Sequence, residues 1–343
     1  MPDIPWAEMW LVFRYAVPAA LGASLVVALV IRLIGGERLM PLAAALAVAA
    51  GVFAANHFHN AIERWELHPT RAWTALDFVK VMGRSLEEKP EAENVDDPNA
   101  KLPLPQPKYW LPLLAALAMI VEVLVSLPGV PPAAGCIART AVSLLAARLM
   151  IPAVESAEYD WRLTKPWLTW GLGLVIALEW SIMAALSKVW KDGTVATAMV
   201  FCLAAVSILA EWEASTGSFA AIALYLSVAI LPVAVLGWFK PGDNGPALAA
   251  AAIMIPGLLQ LSYYGHSGET PLPLSHFLLV GLAPLTLALM FLPFFIAGRS
   301  WQHWLPAIVL PLIPAGLAVY FAMQMPADAT AANKADLPTA AVE

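Results

Sequence analysis

Residues 219–239 read FAAIALYLSVAILPVAVLGWF, 21 positions without one charged side chain. A membrane-spanning helix needs about 20 mostly apolar residues at roughly 1.5 Å of rise each, so this stretch is long enough to cross a hydrocarbon layer. It closes on Trp238 and Phe239, aromatic side chains of the kind that collect at headgroup depth. A strand of an outer-membrane barrel would alternate polar and apolar residues over about ten positions. No such alternation occurs here, and the barrel is set aside.

The same reading extends outward to nine further stretches: Tyr15 to Ile34, Met40 to Phe58, Tyr109 to Leu127, Ala133 to Ala153, Trp167 to Leu186, Thr194 to Trp212, Pro246 to Tyr264, Leu274 to Ala297, and Trp304 to Met323. Aromatic residues flank many of them, among them Trp10, Tyr15, Tyr109, Trp110, Trp170 and Trp301. Composition agrees: 60% of the 343 residues are hydrophobic and only 13% are charged, with a mean hydropathy of +0.72, against roughly 25% charged in an ordinary soluble domain. In lipid the backbone must satisfy itself within each segment. The expected fold is therefore all-α, a polytopic transmembrane helix bundle of about ten spans forming one domain over residues 1–325. The start, Met1-Pro2-Asp3, lacks the basic stretch of a cleaved signal, so the first span is expected to stay.

Most connections are short, which makes consecutive helices antiparallel neighbours. The exception follows the second span. After His68-Pro69, residues Ala72, Ala75, Leu76, Val79 and Met82 fall on one helical face, so residues 59–84 are expected to hold an amphipathic helix at the interface. Residues 85–108, rich in acid and proline, read as a flexible linker, and residues 326–343 as a disordered tail. The loop's Arg64, Arg71, Lys80, Arg84, Lys89, Lys101 and Lys108 tip the balance of basic residues, placing both termini in the cytoplasm, with a bacterial-type inner membrane as the expected home. The net charge of -6 gives no basic face for nucleic acid. The expected partners are the lipid bilayer and other membrane proteins, or a second copy of the chain. Cys136 and Cys202 lie inside apolar runs and read as small packing residues.

Ionisable side chains within spans are costly and often mark a site. Glu179 stands deepest, and a proton or cation relay is its functional reading. Glu122 and Glu211 lie near span ends, where headgroup solvation would suffice. Arg139 and Arg148 are nine residues apart in the fourth span, on roughly opposite faces, and each is near enough to an end to snorkel. A second candidate is the polar patch Gln260, Tyr263, Tyr264 and His266, just beyond Pro256-Gly257 in the eighth span. Prolines also interrupt the seventh, ninth and tenth spans at Pro232, Pro284, Pro293, Pro306, Pro311 and Pro314, and each permits a kink. A third is the interfacial set His57, His59, Glu63 and His68, the nearest approach to a metal-ligand cluster, though His57 and His59 diverge on a helix.

No nucleotide-phosphate loop, H-E-x-x-H, G-x-S-x-G or C-x-x-C occurs, and the histidine placement for bis-histidine haem is missing. No cofactor is named by any motif, and enzyme chemistry is not indicated. Three readings remain: a transporter or permease moving a small solute or ion, a scaffold or subunit of a membrane assembly, and an enzyme on lipid-linked substrate using the interfacial histidines.

Overall fold

A computed structural model describes Trp10 and residues 12–35, 39–63, 107–150, 165–214, 217–264, 272–296 and 300–324. These residues form a helical bundle. In chain order the helices are α1 (Val17–Gly35), α2 (Met40–Glu63), α3 (Pro107–Val125), α4 (Pro132–Met150), α5 (Lys165–Val189), α6 (Thr194–Trp212), α7 (Gly217–Phe239), α8 (Gly245–Tyr264), α9 (Leu274–Gly281), α10 (Pro293–Ile296) and α11 (Ser300–Gln324). Among the described residues nine helical segments are long and apolar enough to span a membrane, and α3 adds a shorter apolar helix at Leu111–Val125. The chain is a multi-pass membrane protein of about ten spans.

α8 sits at the centre. Its sequence, GPALAAAAIMIPGLLQLSYY, is apolar all round and buried all round, as a helix with no polar face must be. Ala249, Ala250, Ala251 and Ala252 are each fully buried. It packs against α2 to α7 and against α9. Small side chains let neighbouring backbones come close, which stands in for the hydrophobic drive that lipid cannot supply. At Gly257 a Cβ would lie 2.7 Å from the Met150 methyl and 2.9 Å from Leu111. A second close approach joins α1, α2 and α7. There Gly51 abuts Ala229, and Ser24 Oγ donates to the Ala229 carbonyl at 2.7 Å.

The first span opens with a five-residue π-turn, Val12–Ala16, before α1. Pro18 explains it: the missing N–H cannot reach back to Arg14, and the ring crowds that carbonyl. α2 continues past the expected end at Phe58 to Glu63, so the start of the expected interfacial helix over 59–84 belongs to the second span. The rest of that stretch, residues 64–84, lies outside the described residues. So do most of the linker over 85–108 and the tail over 326–343.

The expected continuous ninth helix is corrected more deeply. α9 ends at Gly281, a 3₁₀ helix follows over Ala283–Phe291, and α10 adds four residues. Pro284 and Pro293 stand at the two changes of geometry. Eight α residues and nine 3₁₀ residues rise about 12 and about 18 Å, together close to the roughly 30 Å of a hydrocarbon core. The tighter winding thus lets a short segment reach across. The other prolines act differently: Pro232, Pro256, Pro306, Pro311 and Pro314 all stand inside unbroken helices.

Candidate functional site

The end of the bundle where α8 begins holds the densest polar arrangement among the described residues. Glu122 of α3 is fully buried. Arg139 of α4 donates to it twice, Nε to Oε2 and Nη2 to Oε1, both at 2.8 Å. Trp180 of α5 adds a third bond, Nε1 to Oε2 at 2.9 Å. Paired planar groups of this kind are the strong form of ionic hydrogen bond.

Local sequence makes room for it. Gly245 opens α8 against Glu122, and a Cβ there would lie 3.1 Å from the Glu122 Cγ and 3.2 Å from its Oε1. The carboxylate therefore rests beside a helix N-terminus, where negative charge is favoured. Gly135, one turn before Arg139, lets Val125 close on α4. Arg139 is buried and does not snorkel as expected, because Glu122 offers it a charge partner inside the bundle. The headgroup solvation expected for Glu122 is corrected by the same contact.

Toward the surface the polar chain continues through Asp243. Its Oδ1 accepts from the Gly245 N–H at 2.8 Å and from Ser187 Oγ at 3.4 Å, and its Oδ2 from Ser126 Oγ at 3.2 Å. Arg32, buried at the end of α1, donates to Asn244 Oδ1 at 3.0 Å and to the Lys240 carbonyl at 3.2 Å. Lys240 Nζ returns a bond to the Arg32 carbonyl at 2.9 Å. The neighbouring connection is tied in by Asp192, whose Oδ2 lies 3.0 Å from His303 Nε2.

Glu179 is one residue from Trp180 yet lives in a different environment. It is fully buried, and neither carboxyl oxygen has a hydrogen-bond partner among the described residues. Cys202 of α6, also fully buried, lies within its electrostatic reach. Ser187 is two turns farther along α5, about 12 Å away, and Met183, buried, stands on the same stripe between them. Among the described residues, Glu122 thus has three side-chain donors and Glu179, one residue from Trp180, has none.

The remaining sequence candidates disperse. Glu211 is half-buried at the opposite end, and Arg148 is exposed. Gln260 and Tyr263 line an apolar groove of about 380 Å³ with Trp167, Phe277 and Leu278. The Tyr264 side chain and His266 lie outside the described residues. His57 stacks on Phe53, whereas His59 Nδ1 lies 2.8 Å from Tyr225 Oη. The two histidines face different partners. The Glu63 side chain and His68 lie outside the described residues, and among those described no three metal-ligating side chains converge. Cys202 is buried and Cys136 exposed, both as free thiols.

One buried pair was not anticipated. Glu213, just past α6, lies 2.5 Å from His276 Nδ1 through its Oε1, while its Oε2 has no partner among the described residues. Burial pushes the Glu213 carboxyl above its ordinary value, against the opposing pull of His276. The folded protein therefore holds this proton more tightly than the unfolded chain does. The resulting stabilisation is complete below the ordinary carboxylate value and is lost as pH rises through the elevated folded one. Unfolding temperatures measured from pH 4 upward should show that decline in the wild type and a flatter profile in Glu213→Gln.

No family model, characterised protein or solved structure matches the chain.

Proposed function

We propose that the protein is a proton-coupled transporter of a small solute, with Glu179 as the proton-carrying group. The carrying observation is the contrast within one turn of α5: Trp180 serves a carboxylate with three side-chain donors, and Glu179 has no donor among the described residues. A bare carboxylate in such surroundings is strongly disfavoured, so the neutral acid is the form this closed arrangement accepts. Ionisation of Glu179 then requires the surrounding helices to open to water or to a cation. Coupling follows, because the closed state selects the protonated protein and an opened state releases the proton. Asp243, Ser187 and Ser126 provide the polar approach from one side, and Met183 is the plug between them and Glu179. The scaffold reading asks nothing of Glu179 and leaves its burial without a role. A bacterial-type inner membrane with both termini in the cytoplasm suits this activity, and the basic residues of the loop after α2 support that orientation.

The test is uptake by reconstituted vesicles under an imposed inward proton gradient, with a panel of sugars, amino acids, organic anions and inorganic cations. At least one solute should accumulate above protein-free vesicles, and Glu179→Gln, still folded by thermal unfolding, should reduce that uptake at least tenfold. In parallel, an apolar carbodiimide, which modifies protonated carboxyls, should label Glu179 and spare Glu122. Equal uptake by Glu179→Gln, or a panel without any proton-driven substrate, removes the reading.

A further inference from the structure

A cleft of about 380 Å³ runs between α2, α3, α7 and α8, away from Glu179. The volume falls within the ordinary range for small-molecule sites, about 300–1,000 Å³. Along α2 it is lined from Val48 to His59, a rise of about 16 Å. Its floor is the central helix, through buried Ala250 and Met254. Its polar atoms gather at one end, in exposed Asn56 and in the hydrogen-bonded pair of His59 and Tyr225. Among the described residues no Asp, Glu, Lys or Arg lines it.

We propose that this cleft binds an amphiphile with one apolar chain and an uncharged, hydrogen-bonding head, the head seated at Asn56 and at His59, whose imidazole buried Tyr225 holds. The long apolar part excludes water and takes the chain. The polar end offers an amide donor and acceptor together with a phenol and imidazole already oriented against each other. An ionised head would lose its hydration there without meeting an opposite charge among the described residues, which is costly. A neutral head exchanges its water hydrogen bonds for those of Asn56 and His59. This site is independent of the Glu179 reading, since it shares no residue with it.

Bulk membrane lipid and a dedicated neutral ligand could both supply such a chain, so the experiment separates heads on a common tail. The full chain, in nanodiscs of saturated phosphatidylcholine, is irradiated with a trace of a monoacylglycerol carrying a diazirine in its tail. Adducts should concentrate on residues 48–59 and 221–226, at least tenfold above lipid-facing Leu33 and Phe239. Excess monoolein should displace them, while oleate at pH 9 and oleoyl-lysophosphatidylcholine should not. Ala49→Leu narrows the cleft from an exposed position and should cut labelling about tenfold with unfolding unchanged; Asn56→Ala should weaken monoolein competition severalfold. Labelling spread evenly over cleft and lipid-facing surfaces, or equal displacement by oleate, overturns the proposal.

Discussion

Arg139→Ala is expected to destabilise the protein by about 3–5 kcal/mol, the usual penalty for removing one partner of a buried ion pair. Glu122 would remain fully buried with only Trp180 Nε1 as side-chain donor, and water cannot replace the guanidinium without opening the α3–α4 contact at Gly135 and Val125. The charge left behind, more than the attraction lost, is the cause. Arg139→Met combined with Glu122→Leu should therefore recover most of the loss, because two apolar side chains of similar volume remove the desolvation penalty together with the pair. Thermal unfolding of the purified variants in one detergent measures both. A double variant less stable than Arg139→Ala would show that the pair is worth more than its burial costs. Trp180→Phe, which deletes a hydrogen bond to a charged acceptor, should fall between, at about 1.5–3 kcal/mol.

Gly193→Ala is expected to be nearly as damaging, for a steric reason. Gly193 has φ of +76°, and a Cβ there would lie 2.3 Å from the Ala234 carbonyl oxygen and 3.2 Å from the Gly237 Cα. The left-handed conformation costs an ordinary residue about 1–2 kcal/mol, and forced overpacking adds about 1–3 kcal/mol. Both obstacles are backbone, so no rotamer change relieves them and α6 must move away from α7. Gly22→Ala and Gly316→Ala are the matched controls, since among the described residues nothing lies within 4 Å of either added methyl. They should leave the unfolding temperature unchanged or slightly raised, by up to about 1 kcal/mol in stability. Unfolding temperatures that do not separate Gly193 from these two would count against the close α6–α7 approach.

The spans were legible because lipid imposes a length and a composition, and both can be read residue by residue. Thr194–Trp212 has the same ends in the sequence reading and in the structure, as its charges and glycines bound it on both sides. The ninth span was harder. Pro284 and Pro293 were visible, yet a proline equally well sits inside an unbroken helix, as Pro256 does. Whether geometry changes depends on neighbours, which one segment does not contain.

The site was readable residue by residue but not as an assembly. Glu122 and Arg139 were each visible, and their pairing was not, because it depends on how α3 and α4 meet across the turn at residues 126–131. One signal was available. Glu122 lies three residues before the end of α3 and Arg139 seven after the start of α4, an offset of about 6 Å. Helical side chains tilt toward the N-terminus, so a long arginine reaches back over that offset to the glutamate. Trp180, Asp243 and Asn244 come from other helices and connections, and no local pattern marks them. Glu213 and His276 are 63 positions apart and meet only after the bundle closes.

The enclosed position of α8 bears on how the chain is made. Synthesis delivers α1 to α7 before residue 245 leaves the ribosome, yet α2 to α7 surround the place that the eighth fills. The earlier helices can close fully only once it arrives, although α3 and α4, which carry Glu122 and Arg139, are both made before it. A nascent polypeptide halted short of that point is expected to leave the faces that α8 covers open to lipid.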